Sequence, residues 1–375
     1  MTPTDILGRL LSFKAVAGQP NAAITGWVGE HLEHAGARVT RISGPDVGRD
    51  NLWASFGPCD QPGLVLSGHL DVVPAEADMW TSDPFELVER DGCLFGRGTS
   101  DMQGYVACVL ALADEIAASA ITQPIHVALS CDEELGCRGV PYLLTRLPEL
   151  CAPPWGAVIG EPTSLVPVRG HKGKAAYALE VIGRAGHSSR TDLGRNAIHG
   201  LSQVLTVIVE TARALEHGPL ADDFIPAYST LQAGVIQGGQ ALNIIPDHAR
   251  LEVEARAIPG VDPDVLLAPI LDALSTLERA GFETRHQRLS RYPALQIERG
   301  HRLVDLVSAS AGHSPKDAVS FGTEAGLFQQ AGIPAIICGP GDIDRAHKAD
   351  EYITAAELAD CTRFLRELIQ APGPA

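Results

Sequence analysis

Three consecutive acids, Asp132, Glu133 and Glu134, follow an apolar run directly in Ser130-Cys-Asp-Glu-Glu134-Leu-Gly136. Carboxylates gathered at the end of a buried strand repel one another and raise their own pKa values unless a cation sits among them. Adjacent residues point in different directions, so one glutamate can hold a cation while the other faces a water beside it. A second signal is Ser67-Gly-His69-Leu-Asp71. Residues two apart on a strand share a face, which sets a carboxylate beside an imidazole and can fix the tautomer of a metal-ligating histidine. Alone, the pair also reads as a strand-end histidine with satisfied polar atoms. A third is Gly96-Arg-Gly-Thr-Ser-Asp101-Met-Gln-Gly104, whose glycines permit a tight strand-to-helix turn with Asp101 at its apex. It has neither dinucleotide nor Walker spacing, and the alternative reading is an aspartate capping the next helix. Glu161 in Ile159-Gly-Glu161-Pro-Thr163 and His347 in Arg345-Ala-His347-Lys-Ala-Asp350-Glu351 complete the set, each with an ordinary surface-loop alternative.

These residues need elements to carry them. Apolar residues recur at helical spacing over 6–15 and 24–35, and strands are expected at 38–42, 63–73 and 93–96. A helix over 105–118 and strands at 125–130 and 157–160 follow. Apolar strands separated by helices imply a largely parallel sheet covered on both faces. His69, Asp101, Glu134, Glu161 and His347 then fall at or just after strand ends, on the edge where open α/β sheets carry their sites. Two imidazoles and three carboxylates suit two divalent metal ions with one carboxylate bridging, typically ~3.5–4 Å apart.

The middle of the chain differs. Residues 175–183 alternate like a half-exposed strand, 196–216 form an amphipathic helix, and strands are expected at 229–236 and 248–257. A helix over 262–280 opens with Pro and Asp in its first turn, and a strand at 282–287 closes the block. The order β-α-β-β-α-β is the ferredoxin-like plan. A helix at 301–311, a strand at 335–338 and a helix at 355–370 return to the first pattern. The expected fold class is thus α/β: a mixed, largely parallel sheet flanked by helices, with an inserted ferredoxin-like α+β domain. The expected pieces are 1–173, 174–289 for the insertion, and 290–375.

Composition sets the outer limits. The 375 residues carry 29 Lys and Arg against 46 Asp and Glu, a formal charge of −17. That length allows two domains of ~100–200 residues each, and 45% hydrophobic with 20% charged residues is a core-forming balance. The acidic surplus argues against nucleic-acid partners and anionic membranes, which reward basic faces. Asp5, Arg9 and Lys14 interrupt any secretory core near the start, and the longest apolar run, 106–113, is far short of the ~20 residues that span a bilayer. Eight cysteines without a C-x-x-C pair read as reduced thiols of a cytoplasmic protein. Acids around Cys131 and Cys137 would raise a thiol pKa, which argues against a cysteine nucleophile. The missing glycine fingerprint removes a dinucleotide oxidoreductase.

With these motifs in order, the chain closely resembles the dinuclear zinc amidohydrolases. That family includes acetylornithine deacetylase, succinyl-diaminopimelate desuccinylase, aminoacylases and the carboxypeptidase that cleaves glutamate from folates. The resemblance rests on Ser67-Gly-His69-Leu-Asp71, Gly98-Thr-Ser-Asp101-Met, Asp132-Glu-Glu134, Gly160-Glu-Pro-Thr163 and Ala346-His347, and covers essentially the whole chain. Gly160-Glu-Pro-Thr-Ser164, His171-Lys-Gly-Lys174, Gly186-His-Ser-Ser189 and Gly322-Thr-Glu324-Ala are most similar to acetylornithine deacetylases.

The resemblance implies one zinc on His69, Glu161 and Asp101, and a second on Glu134, His347 and the same Asp101. Cobalt or manganese suit the same ligands. It implies that Asp71 orients His69 and that Glu133 is general base and acid. The inserted domain would serve as lid and homodimer interface, with His187 reaching the partner subunit's site. Arg256, Asn243 and Thr323 would contact a small N-acyl amino acid, and Glu324 a cationic side chain such as the ornithine ammonium. Arg256 also reads as a strand arginine paired with Glu254 or Glu252. The implied reaction takes N2-acetyl-L-ornithine to L-ornithine and acetate. Desuccinylase, general aminoacylase, acetylcitrulline deacetylase and dipeptidase preferences are the alternatives within the family. Outside enzymes the alternative is a non-catalytic, metal-stabilised binding paralogue, against which Glu133 weighs, since a metal-holding chain has no need of it.

Overall fold

The computed structural model describes residues 1–118 and 123–373. Residues 119–122 and 374–375, which fall within the expected domain pieces, lie outside the described residues. Two compact units form: Met1–Gly170 with Leu295–Ala318 and Thr323–Ala375, and His171–Ala294 with Val319–Gly322. The inserted unit therefore starts at 171 rather than 174 and ends at 294 rather than 289. It also takes in Val319–Gly322 from the expected third piece.

In the first unit six strands make one sheet, in spatial order Arg38–Ser43, Asp50–Phe56, Ile125–Ser130, Leu64–His69, Gly156–Pro162 and Ala335–Gly339. The last four pair in parallel, whereas Asp50–Phe56 runs antiparallel to both its neighbours. Those four parallel strands are buried along their whole length, as a sheet covered on both faces requires. Helix Ala355–Gln370 packs against helices Gln103–Ala111 and Arg302–Ala311 and joins the same core with Leu358, Cys361, Phe364, Leu365 and Leu368, spaced to form one apolar stripe. Its start is set by a Thr354–Glu357 capping box.

Several expectations change here. Asp50–Phe56 has no counterpart in the sequence reading: from Asn51 onward it is buried throughout, so no alternation marks it. The strand expected over 63–73 stops at His69. The helix expected over 105–118 is two, Gln103–Ala111 and Ala113–Ala118. Cys93–Phe95 joins a separate three-stranded sheet with Val88–Arg90 and Tyr352–Thr354. Asp101 is therefore not delivered by a strand of the main sheet.

In the inserted unit Gly173–Ile182, Thr230–Gly238, His248–Ala257 and Glu283–Tyr292 form an all-antiparallel sheet. With helices Ala197–Leu215 and Pro263–Arg279 between them, the chain order is β-α-β-β-α-β, and the spatial strand order is second, third, first, fourth. Inward residues of the sheet pack on Leu201, Val204 and Ile208 of one helix and Leu267, Ile270 and Leu274 of the other. Thr230–Gly238 is a sheet edge on which Val235 and Ile236 are exposed. Among the described residues no helix is long and apolar enough to cross a membrane, and all eight cysteines are free thiols.

Candidate metal centre

The C-terminal ends of the parallel strands converge on one cluster of acids and imidazoles. Leu64–His69 ends on His69, which is buried, and its Nε2 lies 3.1 Å from Asp101 Oδ1. The other Asp101 oxygen, Oδ2, lies 3.3 Å from His347 Nε2, which is itself 3.0 Å from Glu134 Oε2. One carboxylate thus stands between two imidazoles with an oxygen toward each. Ligand atoms of His69, Asp101 and Glu134 all lie within 4.8 Å of one another, and so do those of His69, Glu133 and Glu161. His69 Nδ1 is 2.8 Å from the Asp71 carbonyl, so Nδ1 donates there and Nε2 is the nitrogen turned to the cluster. Nitrogen and oxygen donors in this number, with a carboxylate placed to bridge, fit two divalent cations.

The electrostatics fit as well. Burial lifts Glu133 to about 8 and Asp71 to about 7, and pushes Glu161 well above the usual carboxylate range. Asp101 goes the other way: burial opposes it, but hydrogen bonds from His347 and His69 hold its carboxyl below its ordinary value. Bonds to Asp101 and Glu134 raise His347 to about 10. Raised carboxylates around raised imidazoles mark a region whose negative charge matches added cationic charge.

Two details correct the expected roles. Asp71 holds His69 through its backbone carbonyl, while the nearest carboxylate oxygen is 3.9 Å from Nδ1. The strand has already ended at His69, so the two-residue period no longer governs Asp71. Its carboxylate instead accepts the backbone N–H groups of Glu133 and Glu134, each at 3.2 Å. Of the three consecutive acids, Asp132 belongs to a different cation. Its oxygens accept from Gly18 N at 2.8 Å and Arg49 Nη1 at 2.6 Å. The self-repulsion read into the triplet is thus relieved at Asp132 by a guanidinium. Glu133 remains, with the Cys137 thiol donating to its Oε1 at 3.1 Å.

Glycines admit the close approaches that build this edge. Gly98 adopts φ +87°, a left-handed conformation that strains any other residue. A side chain at Gly160 would run into the Tyr105 ring at 2.1 Å, directly beneath the Glu161 segment. Glu324 and Thr323 are also buried here. Glu324 accepts from Ser67 Oγ at 2.5 Å and Ser130 Oγ at 2.8 Å, so its carboxylate meets two sheet hydroxyls where a substrate ammonium was expected. Thr323 Oγ1 accepts from Ala325 N at 3.0 Å.

Glu351 was passed over in the sequence, where it appeared only as the end of the His347 segment. It is 1% exposed, and its carboxylate accepts from the Arg97 guanidinium and from the backbone of Gly98, Ser100 and Asp101. Its one available signal was its place four residues after His347.

The remaining expected site residues lie in the inserted unit. His187 is exposed, in a two-residue strand paired with Ile244–Ile245, and its Nδ1 lies 2.7 Å from Ser189 Oγ. Asn243 is its neighbour: its carbonyl accepts from Ser188 N at 3.1 Å. Arg256 takes the alternative partner, donating Nε to Glu254 Oε1 at 2.8 Å and Nη1 to the Tyr292 hydroxyl at 2.9 Å.

Comparison with known proteins gives the chain a family. Residues 65–371 match the model of peptidase family M20/M25/M40. The acetylornithine deacetylase of Myxococcus xanthus is 34% identical over 375 residues, 97% of this chain and 95% of the relative. That of Photorhabdus laumondii is 32% identical over 354 residues, 94% and 90% of the two chains. Among solved structures, the M20 family metallo-carboxypeptidase Sso-CP2 from Sulfolobus solfataricus superposes with a TM-score of 0.81 at 17% identity, covering 98% of both chains. A Staphylococcus aureus tripeptidase gives 0.76 at 20% identity, covering 98% of this chain and 97% of that one. At those identities the structures bear on the fold, which is the expected one. The family match and the near-full-length relatives carry the rest: this chain is a member of peptidase family M20/M25/M40, a family of metal-dependent amide hydrolases.

Proposed function

We propose that this protein hydrolyses the N-acyl amide of a small amino acid, N2-acetyl-L-ornithine first, to acetate and the free amine. The observation that carries the reading is the Asp101 carboxylate set between His69 and His347, in a chain whose full-length relatives are named acetylornithine deacetylases. His69, Asp101 and Glu161 are the proposed ligands of one cation, and Glu134, His347 and Asp101 of the other, zinc being the metal to test first. Bound there, such cations supply Lewis acidity for the acyl carbonyl and lower the pKa of a water toward ~7, from ~15.7 in bulk.

The chain's own groups do the rest. Glu133 takes a proton from the attacking water and returns it to the amine nitrogen as the C–N bond breaks. Water and amide thereby become a carboxylate and a protonated amine. Asp71 steadies Glu133 by gripping its backbone N–H and that of Glu134. His187, supplied by a second copy, is the proposed donor to the developing oxyanion, a role worth ~2.7–4 kcal/mol for a single donor. Arg256, Asn243 and Thr323 are proposed substrate contacts. Glu254 and Tyr292 already orient the Arg256 fork, which suits a carboxylate.

The test is a panel assayed with zinc or cobalt: N2-acetyl-L-ornithine, N-acetylcitrulline, N-acetylmethionine, N-succinyl-diaminopimelate and a dipeptide. The acetylornithine kcat/KM should exceed the others at least about tenfold, the scale of discrimination by one well-placed charged contact. A dipeptide or the succinyl compound in first place would overturn the substrate. No turnover of any member by the metal-loaded protein would favour the binding paralogue.

A further inference from the structure

Asp101 reaches the centre on an element of its own. Its turn follows Cys93–Phe95, whose sheet partners are Val88–Arg90 and Tyr352–Thr354, not the strands that deliver His69, Glu134 and Glu161. What anchors that turn is the segment carrying His347. Gly96 N donates to the Glu351 carbonyl at 2.9 Å, and Tyr352 stands opposite Phe95 in the sheet. Ser100 Oγ donates to the Asp342 carbonyl at 3.1 Å and accepts from Asp342 N at 3.2 Å. Between these two ties sits the Glu351 side chain. Oε1 accepts from Ser100 N at 2.9 Å and Asp101 N at 3.1 Å. Oε2 accepts from Arg97 Nη1 at 2.7 Å and Gly98 N at 3.1 Å. A carboxylate has lone pairs for all four donors, whereas an amide offers one oxygen and turns N–H groups on the rest. Buried backbone donors left facing a donor are costly, so this turn is specified by the charge and shape of one side chain.

We propose that Glu351 is a positioning residue of the dinuclear centre. It locks the 97–101 turn to the 342–352 segment, so that Asp101 presents one oxygen to His69 and the other to His347. The proposal rests on the dinuclear reading above and deepens it. The His69–Glu161 side of the centre draws its other ligands from the rigid sheet. The His347–Glu134 side takes both Asp101 and His347 from the body that Glu351 holds together. Loosening Glu351 therefore weakens the second cation first.

The experiment uses the full chain, stripped with a chelator and titrated with Zn²⁺ by calorimetry and with Co²⁺ by visible absorption. Wild type should take up two equivalents. Glu351→Gln should keep the first equivalent near wild-type affinity and bind the second about 10–100-fold more weakly, the usual cost of losing a group that orients ligands. Ser100→Ala, which removes only the tie to Asp342, should shift the same equivalent in the same direction by less. Glu357→Gln is the control: it disturbs the Arg345 pair and the cap of Ala355–Gln370 nearby, and should leave both equivalents intact. An unchanged second equivalent in Glu351→Gln overturns the proposal, as does equal weakening by Glu351→Gln and Glu357→Gln. If Glu351→Gln does not fold, an unchanged Ser100→Ala titration overturns it. A wild type that binds fewer than two equivalents brings down the dinuclear reading itself.

Discussion

Along Gly156–Pro162 every residue is buried, whereas along His248–Ala257 buried residues alternate with half-exposed ones. Acids on the buried edge of the first unit and acids on the inserted sheet differ in the same way. In the first unit Glu161, Glu324 and Glu351 are 4%, 1% and 1% exposed, and each sits among designated donors or metal-ligand candidates. In the inserted unit Glu254, beside Arg256 and Lys174, and Asp264, beside Arg288 and Arg291, are only partly covered. A half-exposed carboxylate needs no special reason, because water screens it. A buried one does, because desolvation is costly unless specific partners repay it. Where this chain buries acid, it supplies each carboxylate with dedicated partners, as at Asp132 with Arg49 and Gly18 or Glu351 with the 97–101 turn; where it leaves acid in contact with water, the partners matter less.

The largest effect expected from that contrast is at Glu133. Glu133→Gln should retain bound metal while kcat falls about 10²–10⁴-fold, the range for removing a general acid–base group. Near-wild-type turnover in the metal-replete variant would end the assignment. Mixing this variant with inactive His187→Ala protein should recover activity, because exchanged subunits restore one complete site. No recovery after verified exchange would place His187 within its own subunit's site or outside catalysis.

Next is the cost of breaking an ion pair in each unit. Arg49→Met strands the buried Asp132 carboxylate and should cost ~3–5 kcal/mol in chemical denaturation. Arg285→Ala, at an exposed pair with Glu283, should cost only ~0–1 kcal/mol. Equal costs would erase the distinction between the units.

The gentlest effect is on pH. Glu133 and Asp71 have folded-state pKa values raised to about 8 and about 7, above their unfolded values, and His347 is raised likewise. At these groups the folded metal-free protein therefore holds, between about pH 5 and 8, protons that the unfolded chain has released. These outnumber the ones that buried His126 and His171, lowered to about 4, give up below about pH 6.5. By linkage its stability declines as pH rises through that window. Cations favour the deprotonated ligands, so the rise in Tm on adding Zn²⁺ should be larger at pH 8 than at pH 5. A metal-free Tm that climbs steadily from pH 5 to 8 would contradict this.

Much of the frame was legible before any coordinates. The bounds read for 248–257 and 355–370 coincide with the observed strand and helix, because each has one covered face and so keeps a clear period. His69, Asp101, Glu133, Glu134, Glu161 and His347 were all identified from local motifs, and the fold brings them together. Asp50–Phe56 escaped because complete burial erases alternation. Asp71 does meet His69, but the hold of its carboxylate on the Glu133 and Glu134 backbone was not legible, because the strand stops two residues early.

The types and order of the chemical groups were thus settled by the sequence alone, since donor chemistry and local periodicity are properties of neighbouring residues. Partnership across distance was decided only by the tertiary structure. Arg49 meets Asp132 from 83 positions away, and Glu351 reaches Gly98 across 253. Nothing local encodes which buried donor will face which carboxylate. Packing decides that, because once water is excluded an unpaired buried carboxylate is costly and is stable only where the fold brings it a partner.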